Sequence, residues 1–323
     1  MGETRPHIVV AESFGAGALA KLETVGRVAT LASSDEAILL AAVADCDALL
    51  VRTNARVTRG ILENAPHLRV IGRGGNGLDN IDLDAARERN ITVVYTPDAS
   101  TDAVADLTIG MMIARLRRFR DADQAARGGR FAEFRRQESG RELHELTLGI
   151  VGMGRIGRAV ARRARNGFGM TVLYNDIVAP GLLDFVATGV AKEELYARSD
   201  VVSLHTPLTD QTRHLINAKS LAAFKRGTLL INTARGAIID GKALADALNN
   251  GHLGGVGLDV TDPEPLPPGH ALFNTPNTLI TPHIGARTSL SLARMESVVE
   301  DVVRVLQGVQ PLHPVVARPN EST

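Results

Sequence analysis

The chain has 323 residues, 36 Lys and Arg against 36 Asp and Glu, and 44% hydrophobic residues. That is a soluble globular composition at a length suited to two domains, and zero net charge argues against a dedicated nucleic-acid or acidic-membrane binder. One cysteine, Cys46, excludes an internal disulfide framework and a cysteine-built zinc cluster.

The start, Met1 to Pro6, lacks the apolar core of a signal peptide and the Ser or Thr of a myristoylation signal. No apolar run approaches the ~20 residues that span a bilayer, so a cytoplasmic location is expected. Short apolar runs at 8–11, 48–51, 70–71 and 92–95 predict strands, followed by a helical spacing over 103–116. Further strands are predicted at 148–151, 171–174, 201–204, 228–231, 256–260 and 278–280, with helices over 157–165, 241–248 and 289–305. Most of the runs are apolar throughout instead of alternating, the pattern of parallel strands covered on both faces. Strand and helix in turn give βαβ units and an α/β fold.

Residues 101–146 interrupt this rhythm. Nine arginines fall between Arg115 and Arg141, interspersed with Asp121, Asp123, Glu133 and Glu138. The plain reading is a solvated helix face with a loop; the sharper one is that an arginine here reaches an anionic substrate. Cys46, between Asp45 and Asp47, is expected to be packed, since adjacent carboxylates disfavour a thiolate.

Gly152-Met153-Gly154-Arg155-Ile156-Gly157 directly follows a predicted strand and opens a predicted helix. In that setting Gly152 permits the tight turn, Gly154 admits a pyrophosphate to the backbone, and Gly157 lets helix and strand approach. The helix start then offers N–H groups and a positive dipole end to phosphates. Asp176 lies 19 residues beyond Gly157, where an acidic side chain accepts the ribose hydroxyls of NAD. Ile177 and Val178 follow it and supply no cation for a 2′-phosphate, so NAD is expected over NADP.

Three later strand ends each deliver a polar group: Arg235 after 228–231, Glu264 in the loop after 256–260, and His283 after 278–280. Ligands of doubly wound sheets sit outside the carboxyl ends of strands, so the three are expected to converge. A guanidinium can hold a carboxylate through two parallel hydrogen bonds. An imidazole can take and return a hydroxyl proton, and a carboxylate on its second nitrogen orients it and favours its charged form. That set suits reversible oxidation of a 2-hydroxy acid. The nine histidines show no metal-ligand spacing, and no metal is expected.

With these motifs in hand, the chain resembles the D-isomer-specific 2-hydroxyacid dehydrogenases, most of all their phosphoglycerate dehydrogenase branch. The resemblance runs from Val51-Arg52-Thr53 through Gly72-Arg73-Gly74-Gly75-Asn76-Gly77, Thr96-Pro97 and the glycine loop. It continues with His205-Thr206-Pro207, Asn232-Thr233-Ala234-Arg235-Gly236, Leu258-Asp259-Val260, Glu264-Pro265 and Thr281-Pro282-His283-Ile284-Gly285. It implies two Rossmann-like or flavodoxin-like domains with parallel sheets and an active site in the interdomain cleft. Residues 1–98 with 286–323 would bind substrate, and 99–285 would bind NAD. It further implies that Arg235 binds the carboxylate, that His283 is the acid/base paired with Glu264, and that Asn76 and Gly77 offer backbone amides to the substrate. Additional NAD contacts are implied for Arg155, Ile156, His205, Thr206, Thr233, Ala234, Asp259 and Gly285, with a homodimer formed through the coenzyme domain.

The chain departs from the family pattern at Tyr95, Asp106, Asn76 and Arg287, none of which removes a catalytic group. Arg52 and Arg73 stand where the phosphoglycerate branch holds phosphate, and Arg135 or Arg136 offers a further cation; ion pairing at strand ends is the alternative for Arg52 and Arg73. The expected reaction is NAD-dependent oxidation of D-3-phosphoglycerate to 3-phosphohydroxypyruvate, without the added C-terminal domain through which serine exerts feedback. Alternatives are reduction of glyoxylate or hydroxypyruvate, action on another anionic 2-hydroxy acid, or an NAD(H)-sensing corepressor of the same fold.

Overall fold

A computed structural model describes residues 5–137 and 140–315. Residues 138 and 139, with Glu138 of the arginine-rich segment, and residues 316–323 of the expected 286–323 stretch lie outside the described residues, as do the first four. The chain divides into two compact units, Met1–Ser100 with Thr288–Thr323, and Thr101–Arg287. Each is built on its own parallel sheet.

In the first unit the strands are β1 (His7–Val10), β2 (Arg27–Thr30), β3 (Ala48–Val51), β4 (Val70–Arg73) and β5 (Thr92–Tyr95). They pair in the order β2-β1-β3-β4-β5, all parallel, which is the flavodoxin-like winding. The central strands β3 and β4 are buried at every position. Their alternate residues therefore serve two cores: Leu49, Val51 and Ile71 face Leu39, Val43 and Ile61, whereas Leu50 and Val70 face Leu22, Val298 and Val302. Burying one such aliphatic side chain is worth about 1.5–3 kcal/mol, which explains why these runs carry no polar alternation. Edge strand β2 is only half-buried and so lacks an apolar run by which to be read from sequence.

The second core needs the far end of the chain, because Val298 and Val302 belong to helix Val298–Leu306. A single helix over 289–305 is not what forms. Helices Ser289–Glu296 and Val298–Leu306 meet at Ser297, whose hydroxyl donates back to the Arg294 carbonyl at 2.8 Å. Buried Asp301 then accepts the Leu312 and His313 N–H groups at 2.6 and 2.9 Å, fixing the following segment as an antiparallel bridge from Pro314 to Val94.

The second unit contains β6 (Thr147–Val151), β7 (Thr171–Asn175), β8 (Thr188–Gly189), β9 (Val201–Leu204), β10 (Thr228–Asn232), β11 (Leu253–Leu258) and β12 (Thr278–Ile280). The order is β12-β11-β10-β9-β6-β7-β8, again parallel throughout. From β6 the chain winds one way through β7 and β8, then reverses through β9 to β12. This is the dinucleotide-binding winding, and its switch point lies between β6 and β9. Helix Thr101–Leu116 places Ile109, Met111 and Met112 against Leu148, Ile150 and Ile231 of one sheet face. The arginine-rich stretch continues as helices Phe119–Arg127 and Phe131–Arg135, where Arg118 meets Asp121 and Arg127 meets Asp123 at the surface. Cys46 is packed in the first unit, its thiol pushed up to about 12 by burial and by the charges of Asp45 and Asp47.

Candidate active site

The switch point of the second unit carries the glycine loop. Gly152 has φ +93°, and a Cβ there would stand 2.8 Å from the His205 carbonyl. A Cβ on Gly157 would come within 2.0 Å of the Gly152 oxygen, so helix Arg155–Arg162 can lie this close to its strand only with glycine. Gly154 differs: an added Cβ would meet no atom within 4 Å, and no side chain caps the helix that this residue begins. Open space beside uncapped helix N–H groups is where a pyrophosphate fits. Arg155 and Ile156 form the first helical positions.

Around the loop, Asp176 follows β7 and accepts Met153 N–H at 2.6 Å and Val178 N–H at 2.9 Å. Its carboxylate is thereby tethered to the loop. Thr206 holds a buried hydroxyl oxygen with no partner among the described residues, an orphan that a bound dinucleotide would satisfy. His205 bonds Ser203 through Nε2 at 2.9 Å, and burial lowers its pKa to about 3. It stays neutral, so it takes no part in proton exchange near neutrality. These features fit an NAD site.

Neighbouring strands β10, β11 and β12 end at the remaining groups. Buried Asn232 closes β10, accepting Ala234 N–H at 3.0 Å and donating to the Arg235 carbonyl at 2.8 Å. Thr233 is also buried, its hydroxyl 3.0 Å from that of Thr108. Next, a Cβ on Gly236 would lie 2.0 Å from the Thr261 carbonyl, so the chain after Arg235 runs directly against the loop that bears Glu264.

Asp259, 2% exposed at the end of β11, organises the third group. Its Oδ1 accepts Thr281 Oγ1–H at 2.6 Å and Ile284 N–H at 2.8 Å, and its Oδ2 accepts Gly285 N–H at 2.7 Å. Between those anchors His283 adopts φ +52°, a left-handed conformation that costs a non-glycine residue about 1–3 kcal/mol. The turn aims the imidazole at Glu264, with Nδ1 to Oε1 at 2.6 Å. Burial works to raise the Glu264 pKa, but the His283 hydrogen bond and charge, Thr261 N–H and the Arg235 charge hold it below the usual carboxylate range. Arg235, Glu264 and His283 thus form one electrostatic cluster.

In the first unit, Arg52 follows β3 and Arg73 ends β4. Arg73 is 5% exposed, and a Cβ on Gly75 would lie 1.5 Å from its Nη1: glycine at 75 makes room for the guanidinium. Gly75 N–H donates to Thr96 Oγ1 at 2.8 Å, which fixes the loop carrying half-buried Asn76 and Gly77. Arg52 donates to the Ser13 carbonyl and stands 5.9 Å from the Phe14 ring centroid. Arg135 is at the surface, 5.9 Å from the Phe131 ring, and Arg136 is exposed.

Comparison with known proteins bears on this geometry. Residues 109–285 match the family described as D-isomer specific 2-hydroxyacid dehydrogenase, NAD binding domain. The chain belongs to the D-isomer-specific 2-hydroxyacid dehydrogenase family. Among relatives of this dehydrogenase, D-3-phosphoglycerate dehydrogenase of Methanocaldococcus jannaschii is 38% identical over 93% of the chain. The chain spans 57% of that protein's length. Glyoxylate reductase of Korarchaeum cryptofilum is 39% identical over 85% of the chain and 84% of its own length. The crystal structure of TT0316 protein from Thermus thermophilus superposes with a TM-score of 0.87 at 42% identity, covering 96% of this chain and 100% of that one.

For this dehydrogenase, sequence reading missed the supporting residues more than the polar groups themselves. Asn232 and Thr281 sat inside quoted motifs without a role of their own. For Asn232 the available signal was a polar side chain at a strand's last buried position, which must find a partner; Thr281 lies just past β12 and bonds the Asp259 side chain, for which the sequence carried no such signal.

Proposed function

We propose that the chain is an NAD-dependent dehydrogenase that oxidises D-3-phosphoglycerate to 3-phosphohydroxypyruvate, a reaction of the serine-biosynthesis type. The observation that carries the chemistry is the 2.6 Å contact from His283 Nδ1 to Glu264, beside Arg235. With Nδ1–H donated to a carboxylate, the neutral imidazole keeps its lone pair on Nε2, the atom that accepts the substrate hydroxyl proton. Arg235 holds the substrate carboxylate through paired hydrogen bonds and fixes C2. Bound NAD supplies the acceptor for the hydride that leaves C2. As the C2–H pair departs and the O–H proton moves to Nε2, the alcohol becomes a ketone, and Glu264 stabilises the imidazolium. Reduction runs these steps backwards, with imidazolium Nε2–H protonating the carbonyl oxygen.

Gly152, Gly154 and Gly157 cradle the pyrophosphate, and Asp176 takes the ribose hydroxyls. Arg155, Ile156, His205, Thr206, Thr233, Ala234, Asp259 and Gly285 line the rest of the dinucleotide site. Asn76 and Gly77 present amides to the substrate, while Arg52 and Arg73, with Arg135 as a further cation, answer the phosphate charge. Support for that assignment is the placement of both strand-end arginines and the likeness to a D-3-phosphoglycerate dehydrogenase. A homodimer through the coenzyme domain belongs to the same reading. Phe119 and Phe131 stand 57% and 62% exposed there, and Arg115 is buried with its Nε–H unpartnered among the described residues. A cytoplasmic location belongs to the same proposal; among the described residues no helix is long and apolar enough to cross a membrane.

A second reading, reduction of glyoxylate or hydroxypyruvate, is favoured by the 39% identity to a glyoxylate reductase over most of both chains. Measuring kcat/KM for phosphorylated and unphosphorylated acids in Arg52→Ala and Arg73→Ala decides between them. The phosphoglycerate reading expects a loss at least tenfold greater for the phosphorylated acid, given about 1.5–3 kcal/mol per charge-assisted hydrogen bond. Equal losses for both classes would transfer the assignment to the smaller acids.

A further inference from the structure

Glu12 follows β1 in the first unit, where a carboxylate after a strand would ordinarily face water. Instead it is gripped by a neighbouring loop. Its Oε2 accepts the N–H groups of Arg52 and Ala55 at 2.6 and 3.2 Å, and its Oε1 those of Thr53 and Asn54 at 3.2 and 3.0 Å. Four successive amides converge on one carboxylate, an anion-binding nest filled from within the chain. The loop is held from its carbonyl side as well, since Asn80 Nδ2 donates to the Arg52 and Ala55 carbonyls at 3.1 and 2.7 Å.

The same short segment also holds the Arg52 side chain. Nη1 donates to the carbonyl of Ser13 at 3.2 Å, and the guanidinium carbon lies 5.9 Å from the ring centroid of Phe14. On its far side Nη2 contacts Met295 Sδ at 3.2 Å. Residues 12–14 therefore fix Arg52 twice, by its main chain through Glu12 and by its head group through the next two residues. A loop held only by packing would not need a half-buried charge to gather its amides.

We propose that Glu12 is a positioning residue for anion recognition, setting the backbone of residues 52–55 so that the Arg52 guanidinium is presented at the carboxyl end of β3. This rests on the assignment of Arg52 to the substrate's anionic group. Glu12 touches no reacting atom and acts through Arg52 alone, so it governs substrate affinity and leaves the hydride step to the second unit's own groups.

Four proteins test this: wild type, Glu12→Ala, Arg52→Ala and the double variant. Each is assayed for KM and kcat with NADH and 3-phosphohydroxypyruvate, hydroxypyruvate or glyoxylate, and for NADH affinity by fluorescence. Glu12→Ala is expected to raise KM for the phosphorylated acid about tenfold while kcat and NADH affinity stay within twofold. Sodium formate, small enough to enter the emptied nest, should return KM toward wild type. The double variant should be no worse than Arg52→Ala, because the two effects run through one side chain. If Glu12→Ala melts below the assay temperature, Glu12→Gln takes its place; it keeps one oxygen for the nest and is expected to raise KM by a smaller factor. A large KM effect of Arg52→Ala with none from either Glu12 variant overturns the positioning role and spares the Arg52 assignment. Additive effects, or parallel losses in kcat and NADH affinity, also overturn it. No KM effect from Arg52→Ala on any acid removes the assignment beneath it.

Discussion

At the residue scale, the site turns on how one imidazole is held. His283 is in a left-handed conformation that only a well-braced turn sustains, and the brace is the buried Asp259 carboxylate with three donors on it. General acid–base catalysis contributes about 10²–10⁴ in rate, so His283→Ala should lower kcat by that factor with NADH affinity unchanged in a fluorescence titration. Glu264 makes a prediction about pH. Its pKa is depressed, so its pairing with His283 is complete above the ordinary carboxylate value of about 4.3 and is lost as pH falls through the lowered one. In Glu264→Gln the carboxylate is absent at every pH, so kcat for 2-oxo acid reduction should fall and the acidic limb that its protonation sets in the wild type should disappear from the pH profile. Superimposable profiles would separate Glu264 from proton transfer. Arg235, Glu264 and His283 were legible in sequence because each follows an apolar strand. Asp259 was legible only as a cofactor contact, since its grip on residues 281–285 depends on β11 and β12 lying side by side.

Individual elements show why some structure was readable and some was not. Strands β3 and β9 match their apolar runs to the residue because every position is buried, and edge strands β5 and β12 do so as well, with no fully exposed position. By contrast edge strands β2 and β8 carry exposed positions, and hydrophobicity gives them no signal. The break at Ser297 escaped a periodicity that runs smoothly through it. In the glycine loop, three residues of one type do different work, and substitution should separate them. Gly157→Ala sets a Cβ 2.0 Å from the Gly152 oxygen and should lower both the melting temperature and NADH affinity. Gly154→Ala meets no protein atom, so its melting temperature should stay within a few degrees of wild type while NADH affinity falls. Equal NADH affinity in Gly154→Ala and wild type would place the pyrophosphate elsewhere.

Over the whole molecule, two parallel sheets divide the labour by the way they are wound. The dinucleotide-type order in the second unit puts the glycine loop at its switch point and Arg235, Glu264 and His283 beyond three adjacent strands. The flavodoxin-type order in the first unit brings Arg52 and Arg73 to the same ends of neighbouring strands. Such ends are where open α/β sheets hold ligands, so under the proposed function chemistry and charge recognition would follow from topology as much as from residue type. What the sequence could not show is the internal anion nest, because Glu12 lies 40 residues from Arg52 and only the β1–β3 pairing makes them neighbours.

The most direct measurement is NADH oxidation by the purified chain against 3-phosphohydroxypyruvate, hydroxypyruvate and glyoxylate, with His283→Ala in parallel. The wild type should turn over at least one acid, with the highest kcat/KM for the phosphorylated one, and the variant should lose that turnover while NADH still binds. Tight NADH binding by the wild type with no turnover of any acid would contradict the proposed function.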